Sequence, residues 1–469
     1  MSARVTPDMD LFGTAGIRGS AVETVTPDLA LAVGRAAGRD GREFVVARDG
    51  RETGTALAAA MEAGLESAGA DVHRAGQLPT PALAFASQGR RGAMLTASHN
   101  PPTDNGIKLF AEGVEYDRGA ETAVEDRVEA DEPSVAWHEW GDGERVGVLD
   151  AYRDAVVEYA QKQGAPLDGL RVVVDCGNGM AALATPQVLR ALGAEVVTLN
   201  ANVDGHFPGR GSKPTPETLA DLRAFLRADP DADLGIGHDG DADRIVVVDA
   251  DGEVVHEDTV VAMLAARYTE ESDAGDPVVV TTPNALGRID EQVEAAGGRV
   301  ERVRLGALHE GIATVYEDAD ERSTDETEVV FAAEPWKHVH TEFGGWIDGV
   351  TSAAVVSRLV VEAGGLEPLR EPVTERPYRK QSVSCPDDAK TEVMERLESA
   401  VPERFPEASV EIEYGVRATL PDGSWVLVRP SGTEPYVRVY AESDDVDALV
   451  GEAVEAVEAA VEATEVGDS

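Results

Sequence analysis

Cysteine and lysine are nearly absent from this chain. Cys176 and Cys385 are the only cysteines among 469 residues, too few for a disulfide framework or a thiolate zinc site and in keeping with a reducing cytoplasm. Lysine is confined to Lys108, Lys162, Lys213, Lys337, Lys380 and Lys390. Without a basic stripe the chain does not suit a nucleic-acid backbone. No run approaches the ~18 apolar residues of a membrane span, and no apolar leader follows Met1, so neither membrane insertion nor secretion is expected.

What is abundant is acid. Asp and Glu number 88 against 41 Lys and Arg, a formal net charge of -47. Such self-repulsion weakens a compact state at ordinary ionic strength, whereas molar salt screens it within about 3 Å. The composition resembles that of proteins from salt-accumulating halophiles. The acids are spread along the chain, which argues against one dedicated basic partner.

The length and the 47 glycines suit a soluble α/β protein of three or four units. Short apolar runs such as Phe44–Ala47 and Gly92–Leu95 alternate with helix-like segments such as Thr55–Ala68. Leu170–Asp175, the glycine turn Gly177-Asn178-Gly179, a helix-like segment and Ala194–Leu199 form the βαβ pattern of a parallel sheet. An acidic stretch from Asp131 to Asp150 reads as a linker. Pro368, Pro372 and Pro377 mark another, before a smaller unit ending in the helix-like Val446–Val466. The expected units are 1–140, 150–252, 255–365 and 375–469.

Three segments carry chemistry. Thr96-Ala97-Ser98-His99-Asn100-Pro101-Pro102 follows a strand-like run, and its two prolines forbid both helix and ladder. Ser98 is therefore expected on a loop, as an ordinary turn residue or as a nucleophile beside His99. In Asp239-Gly240-Asp241-Ala242-Asp243-Arg244, three carboxylates at alternate positions can converge on one hard cation, Mg2+ or Ca2+. An EF-hand reading fails, because Arg244 stands where glycine is needed and Ala250 where glutamate is. A solvated acidic turn is the alternative. Arg429-Pro430-Ser431-Gly432-Thr433-Glu434-Pro435 can form an anion nest with Arg429 and Arg438 as phosphate forks, or a plain hairpin turn. Phe12–Gly19 is a glycine-rich loop carrying Arg18. Arg48-Asp49-Gly50-Arg51 and Asn105-Gly106-Ile107-Lys108 add further basic groups, readable also as surface charge.

In this order and separation, the Ser98 loop, the three-aspartate loop and the Arg429–Pro435 loop resemble the α-D-phosphohexomutases, as does the opening Phe-Gly-Thr-Ala-Gly-Ile-Arg-Gly. The resemblance covers essentially the whole chain. It implies an α/β fold of four domains, three related α/β units and a smaller C-terminal α+β domain around a central cleft. It implies that phospho-Ser98 exchanges its phosphoryl group with hexose 1- and 6-phosphates through a bisphosphate intermediate, with Mg2+ held by Ser98, Asp239, Asp241 and Asp243. Arg18, Lys108 and Arg244 would line the transfer site, with His99 as a proton shuttle. Arg429, Ser431, Gly432, Thr433 and Arg438 would hold the other phosphate, and Glu334 and His338 would read the sugar. Trp336 and Lys337 stand where the family usually has serine and glycine. Phosphomannomutase or phosphoglucomutase activity is the first expectation, phosphoglucosamine mutase the alternative, and a serine-dependent phosphatase a lesser one. A cytoplasmic monomer or small homo-oligomer, without nucleic-acid or membrane partners, completes the expectation.

Overall fold

A computed structural model describes residues 11–13, 16–322, 326–431 and 434–467. The chain divides into two compact units, Met1–Val260 with Phe331–Arg370, and Val261–Val330 with Glu371–Ser469. No helix among the described residues is long and apolar enough to cross a membrane.

The first unit contains two sheets. In one, the parallel strands Glu43–Arg48 and Arg91–Leu95 lie side by side, and Asp104–Ala111 runs antiparallel to the latter. The interiors of these strands are buried runs of Val, Ala, Met and Leu, which explains why their apolar pattern is continuous rather than alternating. Helices Pro27–Ala37 and Gly54–Ser67 pack on this sheet's core and on each other. A Cβ on Gly34 would lie 2.4 Å from the Met61 carbonyl, so the close helix approach requires glycine.

Ile17–Ser20 extends the sheet beyond Asp104–Ala111, pairing Arg18 with Gly106. Part of the expected linker extends it at another place: Gly143–Arg145 pairs in parallel with Asp71–Gln77. This strand is short, exposed and without apolar residues, so only backbone pairing marks it.

The second sheet has the order Ile245–Val248, Leu234–His238, Arg171–Asp175, Glu195–Leu199. The last three strands are parallel, as the βαβ pattern requires. In both sheets the carboxyl ends of parallel strands lead into the chemistry-bearing loops. Leu95 precedes the Ser98 loop, Arg48 precedes Asp49–Arg51, and His238 precedes the aspartate loop. Open α/β sheets bind ligands at such ends. The hairpin formed by Thr327–Glu334 and Lys337–Val339 also brings Glu334 and Lys337 into this unit.

The second unit holds the parallel pair Asp276–Thr281 and Arg299–Arg302, and a five-stranded antiparallel sheet. Helices Lys390–Arg404 and Val446–Gly467 cover that sheet. Its interior contains a buried carboxylate, Glu442. Arg288 (2.7 Å), the Gly287 N–H (2.9 Å) and the Trp425 indole N–H (2.9 Å) all donate to it.

Candidate active site

Ser98 sits in a left-handed backbone conformation, φ 51°, and is fully buried. That conformation is uncommon for a non-glycine residue and persists only where its surroundings impose it. The Ser98 N–H donates to Thr96 Oγ1 at 2.9 Å, and the Thr96 hydroxyl donates to Asp49 at 2.8 Å. Arg51, also fully buried, pairs with Asp49 at 3.0 Å and donates to the carbonyls of Ser98 (3.0 Å), Asn100 (2.7 Å), Pro101 and Asp104 (2.9 Å). Burial pushes the Asp49 carboxyl up in pKa, and Arg51 is the largest opposing influence. The segment open to a surface-charge reading is thus the buried frame of the serine loop.

The Ser98 hydroxyl donates to Asp239 Oδ2 at 2.7 Å. Asp239, Asp241 and Asp243 are all buried, and one ligand atom from each lies within 4.8 Å of the others. Gly240 permits the approach of the two loops, since a Cβ there would lie 2.6 Å from the Ser98 carbonyl. The Thr80 hydroxyl donates to Asp241 at 2.7 Å, but Asp241 Oδ1 and Asp243 Oδ1 are buried without a hydrogen-bond partner among the described residues. Burial, then the charges of Asp243 and Asp241, push Asp239 far above the usual carboxylate range. Converging oxygen donors with orphaned lone pairs and mutual repulsion fit a hard divalent cation.

Cations surround this cluster. Lys108, buried, donates to Glu115 at 3.0 Å and to Asp243 at 3.3 Å. Burial lowers its pKa, but Glu115 and Asp243 outweigh that and the ammonium is held charged. Arg244 Nε lies 3.7 Å from Asp239 and 3.8 Å from Asp243. The buried Nε of Arg18 has no hydrogen-bond partner among the described residues. Burial raises Asp243, yet Lys108, Arg244, Lys337 and Arg18 together hold it below the usual range. His99 Nδ1 stands 3.4 Å from the Ser98 hydroxyl. Burial, then Arg244 and Arg18, depress His99 to about 3, leaving it neutral. Arg18 and Arg244, whose buried Nε atoms make no hydrogen bond among the described residues, leave donors beside the serine that an anion can take.

Glu334 and Lys337 face each other across the hairpin, with Lys337 Nζ 3.2 Å from Glu334 Oε2. His338 pairs with Ala333 instead and so points to the opposite face. Its Nδ1 is 3.0 Å from Ser352 Oγ, in a buried group with Phe331 and His340. The expectation that His338 reads the sugar alongside Glu334 therefore does not match this geometry. Trp336, half-buried, packs against the cluster of Val173, Leu219, Leu222 and Leu226.

In the second unit, Arg429 and Arg438 lie directly opposite on neighbouring strands. Like charges so placed repel, and an anion between them would relieve it. Arg438 pairs with Glu434, and Arg429 reaches the Tyr440 hydroxyl at 3.2 Å. Arg429 Nε and the Ser431 hydroxyl are buried without hydrogen-bond partners among the described residues. Lys390, unremarked in the sequence, donates to the carbonyls of Ser431 and Glu434, each at 2.6 Å. It opens the helix Lys390–Arg404, and the scarcity of lysine in the chain was the available signal. Gly432 and Thr433 lie outside the described residues.

Also unsignalled was Arg210, which joins the ends of two parallel strands. It donates to Asp175 at 2.9 Å and to the His238 carbonyl at 2.6 Å, bracing the entry to the aspartate loop.

A buried serine held against clustered carboxylates within a ring of cations defines a phosphoryl-transfer enzyme of the α/β class. Family models of phosphoglucomutase/phosphomannomutase match residues 9–134 (alpha/beta/alpha domain I), 149–252 (domain II) and 382–460 (the C-terminal domain). A phosphopentomutase of Thermococcus kodakarensis is 42% identical over 443 residues, covering 93% of this chain and 94% of that protein. A probable phosphoglucosamine mutase of Methanopyrus kandleri is 40% identical over 444 residues, covering 92% and 94%. The crystal structure of a phosphoglucomutase/phosphomannomutase family protein from Burkholderia thailandensis superposes with a TM-score of 0.82 at 27% identity, covering 97% of this chain and 98% of that one. The chain belongs to the phosphoglucomutase/phosphomannomutase family of the α-D-phosphohexomutase superfamily, and it is an isomerase that transfers a phosphoryl group intramolecularly.

Proposed function

We propose that the protein interconverts hexose 1-phosphates and 6-phosphates, with Ser98 as the carrier of the phosphoryl group. The observation that carries this reading is the Ser98 hydroxyl, 2.7 Å from a buried carboxylate that belongs to a three-aspartate cluster. A phosphoryl group on Ser98 Oγ passes to a free sugar hydroxyl. The sugar bisphosphate then returns its other phosphoryl group to Ser98, so one isomerisation becomes two transfers. Asp239, Asp241 and Asp243 would hold Mg2+, which supplies charge neutralisation at the phosphoryl oxygens. Lys108, Arg18 and Arg244 orient those oxygens and stabilise charge as it shifts. His99 Nδ1, 3.4 Å from Oγ, is placed to relay a proton at that atom once a phosphate offsets the arginine charges that, after burial, depress it. Arg429, Arg438 and Ser431 provide the chemistry to grip the phosphate that is not transferred.

The test is a panel of glucose, mannose, glucosamine and ribose 1-phosphates, followed for product and for free phosphate in high salt. Conversion of a hexose phosphate without net phosphate release supports the reading. Stoichiometric phosphate release would support the phosphatase alternative instead, and conversion of ribose 1-phosphate alone would replace the hexose with a pentose.

A further inference from the structure

The turn joining Glu334 to Lys337 is Pro335-Trp336, and Trp336 has φ 64°. Proline followed by a left-handed residue is the type II arrangement, in which glycine is favoured at the second position. A tryptophan there is strained, so its surroundings must impose the conformation. They do so in two ways. Its indole packs against the cluster of Val173, Leu219, Leu222 and Leu226, and its carbonyl accepts from the Ile245 N–H at 3.1 Å. Ile245 directly follows Asp243 and Arg244. The turn is therefore fastened to the end of the aspartate loop, with Glu334 and Lys337 held as its closing pair.

This fastening puts an ammonium at a defined place. Lys337 Nζ lies 3.2 Å from Glu334 Oε2, and both side chains are largely buried. The turn that carries Lys337 is tied by its Trp336 carbonyl to Ile245, two residues beyond Asp243. A sugar whose hydroxyl reaches Ser98 must bring its ring close to the aspartate loop, and so within the field of this pair. Glu334 there is a carboxylate whose charge is already matched. A ring bearing hydroxyls meets donors and an acceptor. A ring bearing an amine, protonated at neutral pH, meets a fixed ammonium in a partly desolvated setting, where like charges are poorly screened.

We propose that Lys337 is a specificity-determining residue, which with Glu334 selects sugar phosphates with uncharged ring substituents and disfavours 2-amino sugar phosphates. This rests on the mutase reading, and it names the substrate class that the same site takes.

The experiment compares kcat/KM for glucose 1-phosphate, glucosamine 1-phosphate and N-acetylglucosamine 1-phosphate in the full chain and in Lys337→Met and Lys337→Arg. The unmodified protein is expected to favour glucose over glucosamine phosphate at least tenfold. Lys337→Met should bring that ratio at least fivefold closer to one, while Lys337→Arg, which keeps the charge, should preserve it. The N-acetyl compound separates charge from bulk, and its ratio to glucose 1-phosphate should not respond to Lys337→Met. Equal use of glucose and glucosamine phosphates by the unmodified protein would overturn the proposal, as would an unchanged ratio in Lys337→Met. A ratio is insensitive to a general loss of folded protein. If no sugar phosphate is isomerised and Ser98 carries no phosphate, the mutase reading itself fails, a result distinct from a wrong preference.

Discussion

Arg51 grips the Ser98 loop through the backbone, donating to the carbonyl of Ser98 itself at 3.0 Å while its Nε pairs with Asp49 at 3.0 Å. Three more carbonyls of the same loop region accept from this guanidinium. A planar fork can serve so many acceptors at once, whereas an ammonium cannot.

Arg51→Lys is accordingly expected to lower kcat at least tenfold and to destabilise the first unit. Losing one partner of a buried pair costs about 3–5 kcal/mol, and lysine should recover only part of that. Thermal unfolding and steady-state kinetics in high salt check both effects. Wild-type kcat in this variant would show that the loop needs no such brace.

Asp241 is the aspartate anchored by Thr80, with one oxygen left unpartnered among the described residues. Asp241→Asn keeps the shape but removes a charge and half the acceptor capacity. The expected result is a Mg2+ affinity at least tenfold weaker by calorimetric titration, with turnover reduced in parallel. An unchanged titration would remove the aspartate loop from cation binding.

His338 and His340 are buried neutral, and both face Ser352 Oγ, at 3.0 and 2.8 Å. The Ser352 hydroxyl donates to the Asp348 carbonyl at 2.8 Å, so it accepts from both imidazoles. Burial depresses His338 to about 3 and pushes His340 well below its ordinary 6.5, the repulsion that a protonated His338 would exert being a lesser cause. In the unfolded chain both bind protons below about pH 6.5. The unfolded state then holds more protons, so stability falls as pH drops through that range, by up to about 2.7 kcal/mol per pH unit for two groups. His340→Asn should shrink the difference in stability between pH 6.5 and pH 5 relative to the unmodified protein. Comparing the two proteins cancels the opposing relief of acid repulsion. Identical pH profiles would contradict the neutral pair.

The sequence made the strands around the site legible because parallel strands buried on both faces are uninterrupted apolar runs. Leu234–His238 is an example, and Ile245–Val248, antiparallel to it and likewise buried along its length, closes the aspartate loop on the other side. Ser98 and the three aspartates were legible as local motifs of proline, glycine and carboxylate spacing. What could not be read were contacts across long separations. The Arg51–Ser98, Thr80–Asp241 and Arg210–His238 contacts join residues 47, 161 and 28 positions apart, and no local period records them. The direction of His338 was likewise hidden, because it depends on hairpin register, which Glu334 opposite Lys337 sets only once the chain is folded. Trp336 was legible only as a departure from the family's usual serine, and its left-handed backbone and apolar neighbours were not.

The central claim is that Ser98 carries the phosphoryl group. The most direct measurement is peptide mass spectrometry of the protein after incubation with glucose 1,6-bisphosphate and Mg2+, alongside Ser98→Ala. The account predicts phosphate on the peptide containing Ser98, localised to that residue, and its absence together with nearly all mutase activity in Ser98→Ala. An unphosphorylated Ser98 in an active preparation, or full activity in Ser98→Ala, would contradict it.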